Sequence, residues 1–325
     1  MKTVLVTAVG SFAGEAVIRL LKGQGVRVLG CDIYPAEWVV NARDADLFFQ
    51  APYASQRDEY LDFVWDICER EGVDGVIPLT DTEVDVLNDS RFREQGSPAL
   101  LISGQRTIGL CRDKSKSEAY LRSLGIGRPI PGISLNEAGA AALDYPVVVK
   151  PKNGRSSQNL RTIEQPDALR YLQQEMRAEA GNYLVQKKLA GDVITVDVVR
   201  DPRDGATVCL PRRELLRTGT GAGLTVEVFY DPVLEDDCRQ IAGALGVCGC
   251  VNFEFIEDQA GVRHFLECNP RFAGGVAFSC LAGYDMVKNH LRCFTGEGIE
   301  KQPEISRQFM ARRYTEYQMK IGELL

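Results

Sequence analysis

The runs Val251-Asn-Phe-Glu-Phe-Ile256 and Val262-Arg-His-Phe-Leu-Glu-Cys-Asn-Pro-Arg271 are strand-like and are separated by a short polar turn. No other feature limits the fold of this chain so tightly. Asp258-Gln259-Ala260-Gly261 reads as a hairpin loop between them. Side chains alternate faces along a strand. With a four-residue loop, Glu257 pairs with Val262, Phe265 lies opposite Glu254, and Asn252 lies opposite Glu267. That register puts Glu254 and Glu267 on one face, one diagonal step apart, roughly 7–8 Å between backbones. Two carboxylates so placed repel each other unless a cation sits between them. Asn269 and Arg271 follow on the same face. Oxygen ligands without His or Cys suit Mg²⁺, which keeps its waters and is usually shared with substrate phosphates. The alternative is an acidic, solvated sheet face.

Residues 1–103 alternate strand and helix. Residues 3–9 are a continuous apolar run, as in a strand buried on both faces. Gly10 to Gly14 turns into a helix over 15–23, with Ala16, Val17, Leu20 and Leu21 at helical spacing. A second strand over 26–31 ends at Asp32. A helix over 59–70 and strands over 75–79 and 99–103 complete the pattern, which predicts a parallel, doubly wound sheet. Gly10, Gly14 and Asp32 are only part of a dinucleotide fingerprint, so glycines permitting a tight turn account for them better than NAD(P) does. Asp81-Thr-Glu-Val-Asp85 follows the third strand, where it either caps a helix or touches a ligand.

Farther on, Tyr145-Pro-Val-Val-Val-Lys150 is a β-branched strand that delivers a lysine into the polar turn 151–158. A lysine so placed needs an anion nearby, and the turn offers the backbone N–H groups and hydroxyls that cradle phosphates. A surface hairpin is the other reading. The GxxxxGK[ST] order of a Walker loop is absent. Helices are expected over 117–124 and 169–179. Strands follow over 183–189, 193–200, 207–210 and 224–229, then helices over 236–245 and 286–294, with a last strand within 309–314. Arg212, Arg213 and Arg217 flank the run Gly219-Thr-Gly-Ala-Gly223 and are candidates for an acidic substrate or ordinary exposed charges.

Composition narrows the functions. A net charge of −7 with no basic block argues against nucleic acid as a partner. Ten cysteines without a CxxC pair, beside two histidines, exclude a zinc cage and fit reduced thiols in a cytoplasmic protein. No apolar run approaches the ~18 residues that a membrane helix requires.

Taken in order, these pieces resemble the ATP-grasp superfamily in its carbamoyl-phosphate-synthase-like branch. The resemblance rests on Asp113-Lys114, Val149-Lys150-Pro151 with the loop 153–158, Gln186-Lys-Lys-Leu-Ala-Gly191, and Glu254 with Glu267-Cys-Asn269-Pro-Arg271. It implies an α/β, Rossmann-like pre-ATP-grasp domain (1–103), followed by a two-lobed α+β ATP-grasp domain. That domain has a small lobe (104–185), a large lobe (186–295) and a tail (296–325). It also implies ATP with Mg²⁺ (or Mn²⁺). Lys114 and Lys150 would bind the nucleotide, and Gly154, Arg155, Ser156 and Ser157 would close over its phosphates. Gln186, Lys187, Lys188 and Leu189 would form the adenine hinge, and Glu254, Glu267 and Asn269 would hold metal. Arg271 would steady the transferring group, with Arg213 at the substrate. The implied activity is a ligase that makes an acyl phosphate from a carboxylate and joins it to an amine or ammonia. Rival readings are bicarbonate as the acid, although only one ATP-grasp unit is present, and a nucleotide-binding subunit without turnover. The expected partners are small-molecule carboxylates and amines, with no membrane and with a homodimer as the assembly to test. The chain departs from the family at Val193, where a glutamate usually holds the ribose, at Gln186, where an acid is common, and in a phosphate loop lacking its second glycine.

Overall fold

The computed structural model describes residues 1–94, 96–139, 141–154, 158–219 and 221–319. Strands β1 (Thr3–Val6), β2 (Arg27–Asp32), β3 (Leu47–Gln50), β4 (Gly75–Ile77) and β5 (Ala99–Leu100) form a parallel sheet in the order β3-β2-β1-β4-β5. Alternate residues of β1 serve the two sides. Val4 and Val6 pack on helix Gly14–Gly23, while Leu5 packs on helix Arg57–Glu71. Both faces are therefore covered, as a parallel sheet requires. Strand β3 escapes the sequence reading because, at the edge of the sheet, it buries no residue completely and shows no alternation. The strand order reverses between β1 and β4, opening a crevice at their carboxyl ends.

The second sheet is small and antiparallel. β6 (Gly132–Ser134), β7 (Val147–Pro151), β8 (Arg161–Ile163) and β9 (Tyr183–Lys187) lie in the order β6-β9-β7-β8. Val147, Val149 and Val185 pack against Leu169 and Leu172 of helix Pro166–Glu175. Helices Gln105–Cys111 and Lys114–Leu124 fall inside the segment assigned to the small lobe by sequence, yet Cys111 and Leu121 pack into the core beneath the third sheet. Their apolar faces find partners there and not on the small sheet.

That third sheet positions the site. β10 (Gly191–Arg200), β11 (Thr207–Arg217), β12 (Gly223–Val228), β13 (Gly249–Asp258), β14 (Arg263–Asn269) and β15 (Gln308–Ala311) are ordered β14-β13-β10-β11-β12-β15. One face, with Val196, Val198, Phe253, Phe255 and Phe265, packs on helices Pro232–Leu245 and Lys114–Leu124. The other face is apolar at one end, where Val199, Val208, Val226 and Cys250 merge with the core of the first domain. At its other end it is polar.

Candidate active site

The polar end of that face is set by the hairpin of β13 and β14. Its register departs from the sequence expectation twice. The turn is one residue longer, so Glu257 pairs with Arg263 and Phe255 with Phe265. A β-bulge follows, and Glu254 then pairs with Glu267 and Asn252 with Asn269. Leu266 is the extra residue. Were Leu266 paired in the ladder, it would face Glu254 and Glu267 would fall opposite Phe253 on the apolar face; with Leu266 bulged out, the two glutamates are direct cross-strand neighbours.

Lysines surround this pair. Asp113 caps helix Lys114–Leu124 by accepting from the N–H groups of Ser115 at 3.0 Å and Lys116 at 3.2 Å. The cap fixes Lys114 in the first turn. Its Nζ reaches Glu267 Oε2 at 2.9 Å and donates to the Gly154 carbonyl at 2.7 Å, joining the carboxylates to the loop after β7. Lys150 is the penultimate residue of β7, where burial brings its pKa down to about 8 against the pull of Glu267. Burial opposes ionisation of Glu267 as well, but Lys114 and Lys150 outweigh it and hold that carboxyl below its usual range. Glu254 is pushed well up, by burial and then by the charge of Glu267. Asn269 donates its amide to Glu254 at 3.4 Å and to Glu267 at 3.3 Å. The two carboxylates are thus balanced here by ammonium and amide groups. Among the described residues no three His, Cys, Asp or Glu side chains converge on one point. A metal at this pair would complete its shell with the Asn269 amide oxygen, water and phosphate, as hard Mg²⁺ does.

The carboxylates open into a cavity of about 690 Å³ whose far wall is the crevice of the first domain. Arg271 crosses to that wall. Its Nε and Nη2 donate to the two oxygens of Asp81 at 3.0 and 2.9 Å, a bidentate pair. Arg112 approaches Asp81 at 3.6 Å and grips Asp85 with two bonds. Asp81 opens helix Asp81–Asn88 while Thr80 and Glu83 form its capping box. The Asp81 side chain therefore serves the site and the Thr80 side chain serves as the cap, a division that sequence alone left open. Asp32 accepts from the N–H of Gly10 at 2.8 Å and of Tyr34 at 3.2 Å and also lines the cavity.

The remaining candidates are divided. Arg155, Ser156 and Ser157 lie outside the described residues. Gln186 is buried and donates to the Ile130 carbonyl at 2.5 Å, a structural bond from β9 to the segment leading into β6. The Lys188 N–H is taken by the Pro146 carbonyl at 2.9 Å, and Lys187 ends β9. Arg213 stands on the opposite face from Glu254, paired with Asp192 and Glu257 at 2.6 Å each. It pairs in register with Ile194, whereas Thr195 pairs with Glu254, so strand parity separates Arg213 from the cavity. Arg212 and Arg217 do line the cavity. Arg212 is almost fully buried and committed to Asp197 at 2.7 Å and Glu214 at 3.2 Å. Arg217 donates to the Gly221 carbonyl at 2.8 Å and lies 3.6 Å from Glu254.

Comparison with known proteins agrees with this geometry. Residues 179–317 match a family described as ATP-grasp in the biosynthetic pathway with Ter operon, and residues 4–100 match the PylC-like N-terminal domain. The chain thus carries an ATP-grasp match behind a PylC-like N-terminal match. The carbamoyl phosphate synthase large chain of Clostridium botulinum is 27% identical over 320 residues, which cover 90% of this chain and 29% of that protein. This chain thus spans less than a third of that relative. The biotin carboxylase domain dimer of Hydrogenobacter thermophilus 2-oxoglutarate carboxylase, solved with MgADP, ADP and bicarbonate, superposes with a TM-score of 0.80 at 21% identity, over 95% of this chain and 73% of that one. A Campylobacter jejuni biotin carboxylase–β,γ-ATP complex superposes with a TM-score of 0.78 at 20% identity, over 94% and 73% of the two chains. These likenesses establish the fold.

Proposed function

We propose that this protein is an ATP- and Mg²⁺-dependent ligase that activates a carboxylate as an acyl phosphate and joins it to an amine or ammonia. The observation that carries the reading is the Glu254–Glu267 pair, flanked by Lys114 and Lys150 and opening on a cavity shared with the first domain. In the first step a substrate carboxylate oxygen attacks the γ-phosphorus of ATP, and the bond to the ADP oxygen breaks. In the second the amine nitrogen attacks the acyl carbon, a C–N bond forms, phosphate leaves, and the amine proton passes to water. Bound Mg²⁺ supplies charge neutralisation on the phosphate oxygens. Lys114 and Lys150 add fixed positive charge, and Arg271, held by Asp81, faces the group in transfer. The loop from Gly154 through Arg155, Ser156 and Ser157 is assigned to the phosphates, and the Lys188–Leu189 backbone to adenine.

Bicarbonate as the acid is a second reading, favoured by the likeness to carbamoyl phosphate synthase. A reducing, cytoplasmic setting fits ten free thiols, and a homodimer is the assembly to test by light scattering. The deciding experiment measures ADP release with pooled carboxylic acids and amino acids, and separately with bicarbonate. Acid- and amine-dependent release supports the ligase. ATP binding without turnover on any pool would leave a nucleotide-binding subunit.

A further inference from the structure

Six acidic side chains line the cavity, and five have both carboxylate oxygens engaged. Asp32 takes the N–H groups of Gly10 and Tyr34. Asp81 takes Arg271 twice, and Glu83 takes Tyr60 and Thr80. Glu254 faces Asn269 and Arg217, while Glu267 faces Asn269 and Lys114. Glu214 is the exception. Its Oε1 accepts from the Thr195 hydroxyl at 2.6 Å and Arg212 Nε at 3.2 Å, whereas Oε2 is buried with no partner among the described residues. The side chain is 2% exposed. A carboxylate oxygen buried without a donor is unfavourable, and a ligand hydroxyl would relieve it.

The register says what passes over it. Ile194 pairs with Arg213 and Thr195 with Glu254. Val193 and Glu214, one step along each strand, therefore flank each other on the cavity face. β10 begins just beyond the hinge at 187–189, and Thr195 lies level with the metal-binding pair. A nucleotide with its base at the hinge and its phosphates at Glu254 and Glu267 must lay its sugar across Val193, Thr195 and Glu214. Val193 accepts no hydrogen bond. The Thr195 hydroxyl is spent on Glu214.

We infer that Glu214 is the ribose-recognition residue of this protein, with Oε2 accepting a hydroxyl of the 2′,3′-diol. An uncharged diol suits the position better than an ammonium group or a divalent ion, because the Arg212 guanidinium at 3.2 Å repels a second cation. Oε2 is covered by Gly223, where a Cβ would stand only 2.3 Å away. The absence of a side chain at Gly223 leaves glycine backbone alone on that side of Oε2. The inference rests on the ATP-site reading above, and the test separates the two.

Binding of ATP and of 2′,3′-dideoxy-ATP, each with Mg²⁺, is measured by calorimetry for wild type, Glu214→Ala and Glu214→Gln, with melting temperature as a check on folding. The wild type is expected to prefer ATP at least tenfold. Glu214→Ala should bring that preference below twofold, by weakening ATP and not by improving the dideoxy nucleotide. Glu214→Gln, which keeps an acceptor for Thr195 and Arg212, falls between and covers the case in which the alanine variant does not fold. Equal wild-type affinity for the two nucleotides would overturn the inference, as would a preference that survives in both variants. If the wild type binds neither nucleotide, the ATP-site reading itself fails. If the variants change only the response to amine or acid substrates, Glu214 belongs to a different ligand.

Discussion

On one face of the six-stranded sheet Ile194, Val196, Phe253, Phe255 and Phe265 are closed to water. On the other, the neighbouring residues along the same strands are Thr195, Asp197, Glu254 and Asn252, beside Arg212 from β11. The first face stabilises by burying apolar area, at about 25 cal/mol per Å². The second opposes that gain. It buries Arg212 between Asp197 and Glu214, with Ser279 and Asn252 also donating to Asp197 at 2.6 and 3.1 Å, and such networks seldom stabilise a fold on balance. Position is what the polar face contributes: its side chains hold one another in place, apart from the unpartnered Glu214 Oε2. Stability and chemistry are thus divided between two sides of one layer.

Substitutions that spare one side should sharpen the division. Glu267→Ala should lower ADP release about 10³-fold or more, roughly 4 kcal/mol, while far-ultraviolet circular dichroism stays native; an unchanged rate removes the metal assignment. Phe265 meets Phe253 and Phe255 edge to face at 5.7 and 5.6 Å. Phe265→Ala should cost about 3–4 kcal/mol, read from the urea midpoint, with ATP affinity retained by the folded fraction; a midpoint unmoved would break the comparison.

The third test uses acid. His290 packs behind the polar face, where its Nδ1 accepts from the Cys250 N–H at 2.9 Å, and burial brings its pKa down to about 3. The folded ring is therefore neutral, while the unfolded one protonates near pH ~6.5. Its contribution is complete above that pH and declines by about 1.4 kcal/mol per pH unit towards pH ~3. Going from pH ~6.5 to ~4.5 should thus cost about 2.3 kcal/mol from this group. His290→Gln should flatten the fall in urea midpoint, and equal slopes would show that other groups carry it. The smallest effect should come from Asp81→Asn, which weakens the hold on Arg271 and should lower kcat about tenfold, about 1.4 kcal/mol, with little change in KM for ATP. A raised KM alone would place Arg271 in ground-state binding.

Much of this was legible in the chain. The alternation in residues 1–103 specified the parallel sheet, and Glu254, Glu267 and Asn269 were readable as one group because strand parity is local. What escaped was decided by spacing between elements. Arg213 was read with its neighbours as a substrate group, although adjacent strand residues face opposite ways and only Arg212 and Arg217 reach the cavity. Asp81 joined Arg271 across 190 residues, a distance that no local pattern encodes. Glu214 carried no signal at all, since an unpartnered oxygen is a property of packing.

Leu266 is among the least conspicuous residues near the cavity, yet it governs how this hairpin tolerates changes of length. Two residues added to the turn would preserve which side chains look inward. A change that took Leu266 into the ladder opposite Glu254 would rotate Cys268 towards the cavity and drive Glu267 among the phenylalanines, with every letter of the motif still present. A sequence comparison scoring only the Glu-Cys-Asn-Pro-Arg ending would count such a variant as intact. Whether distant chains with this motif keep the pair on one face therefore depends on turn length and bulge together, and not on the count between the two glutamates alone.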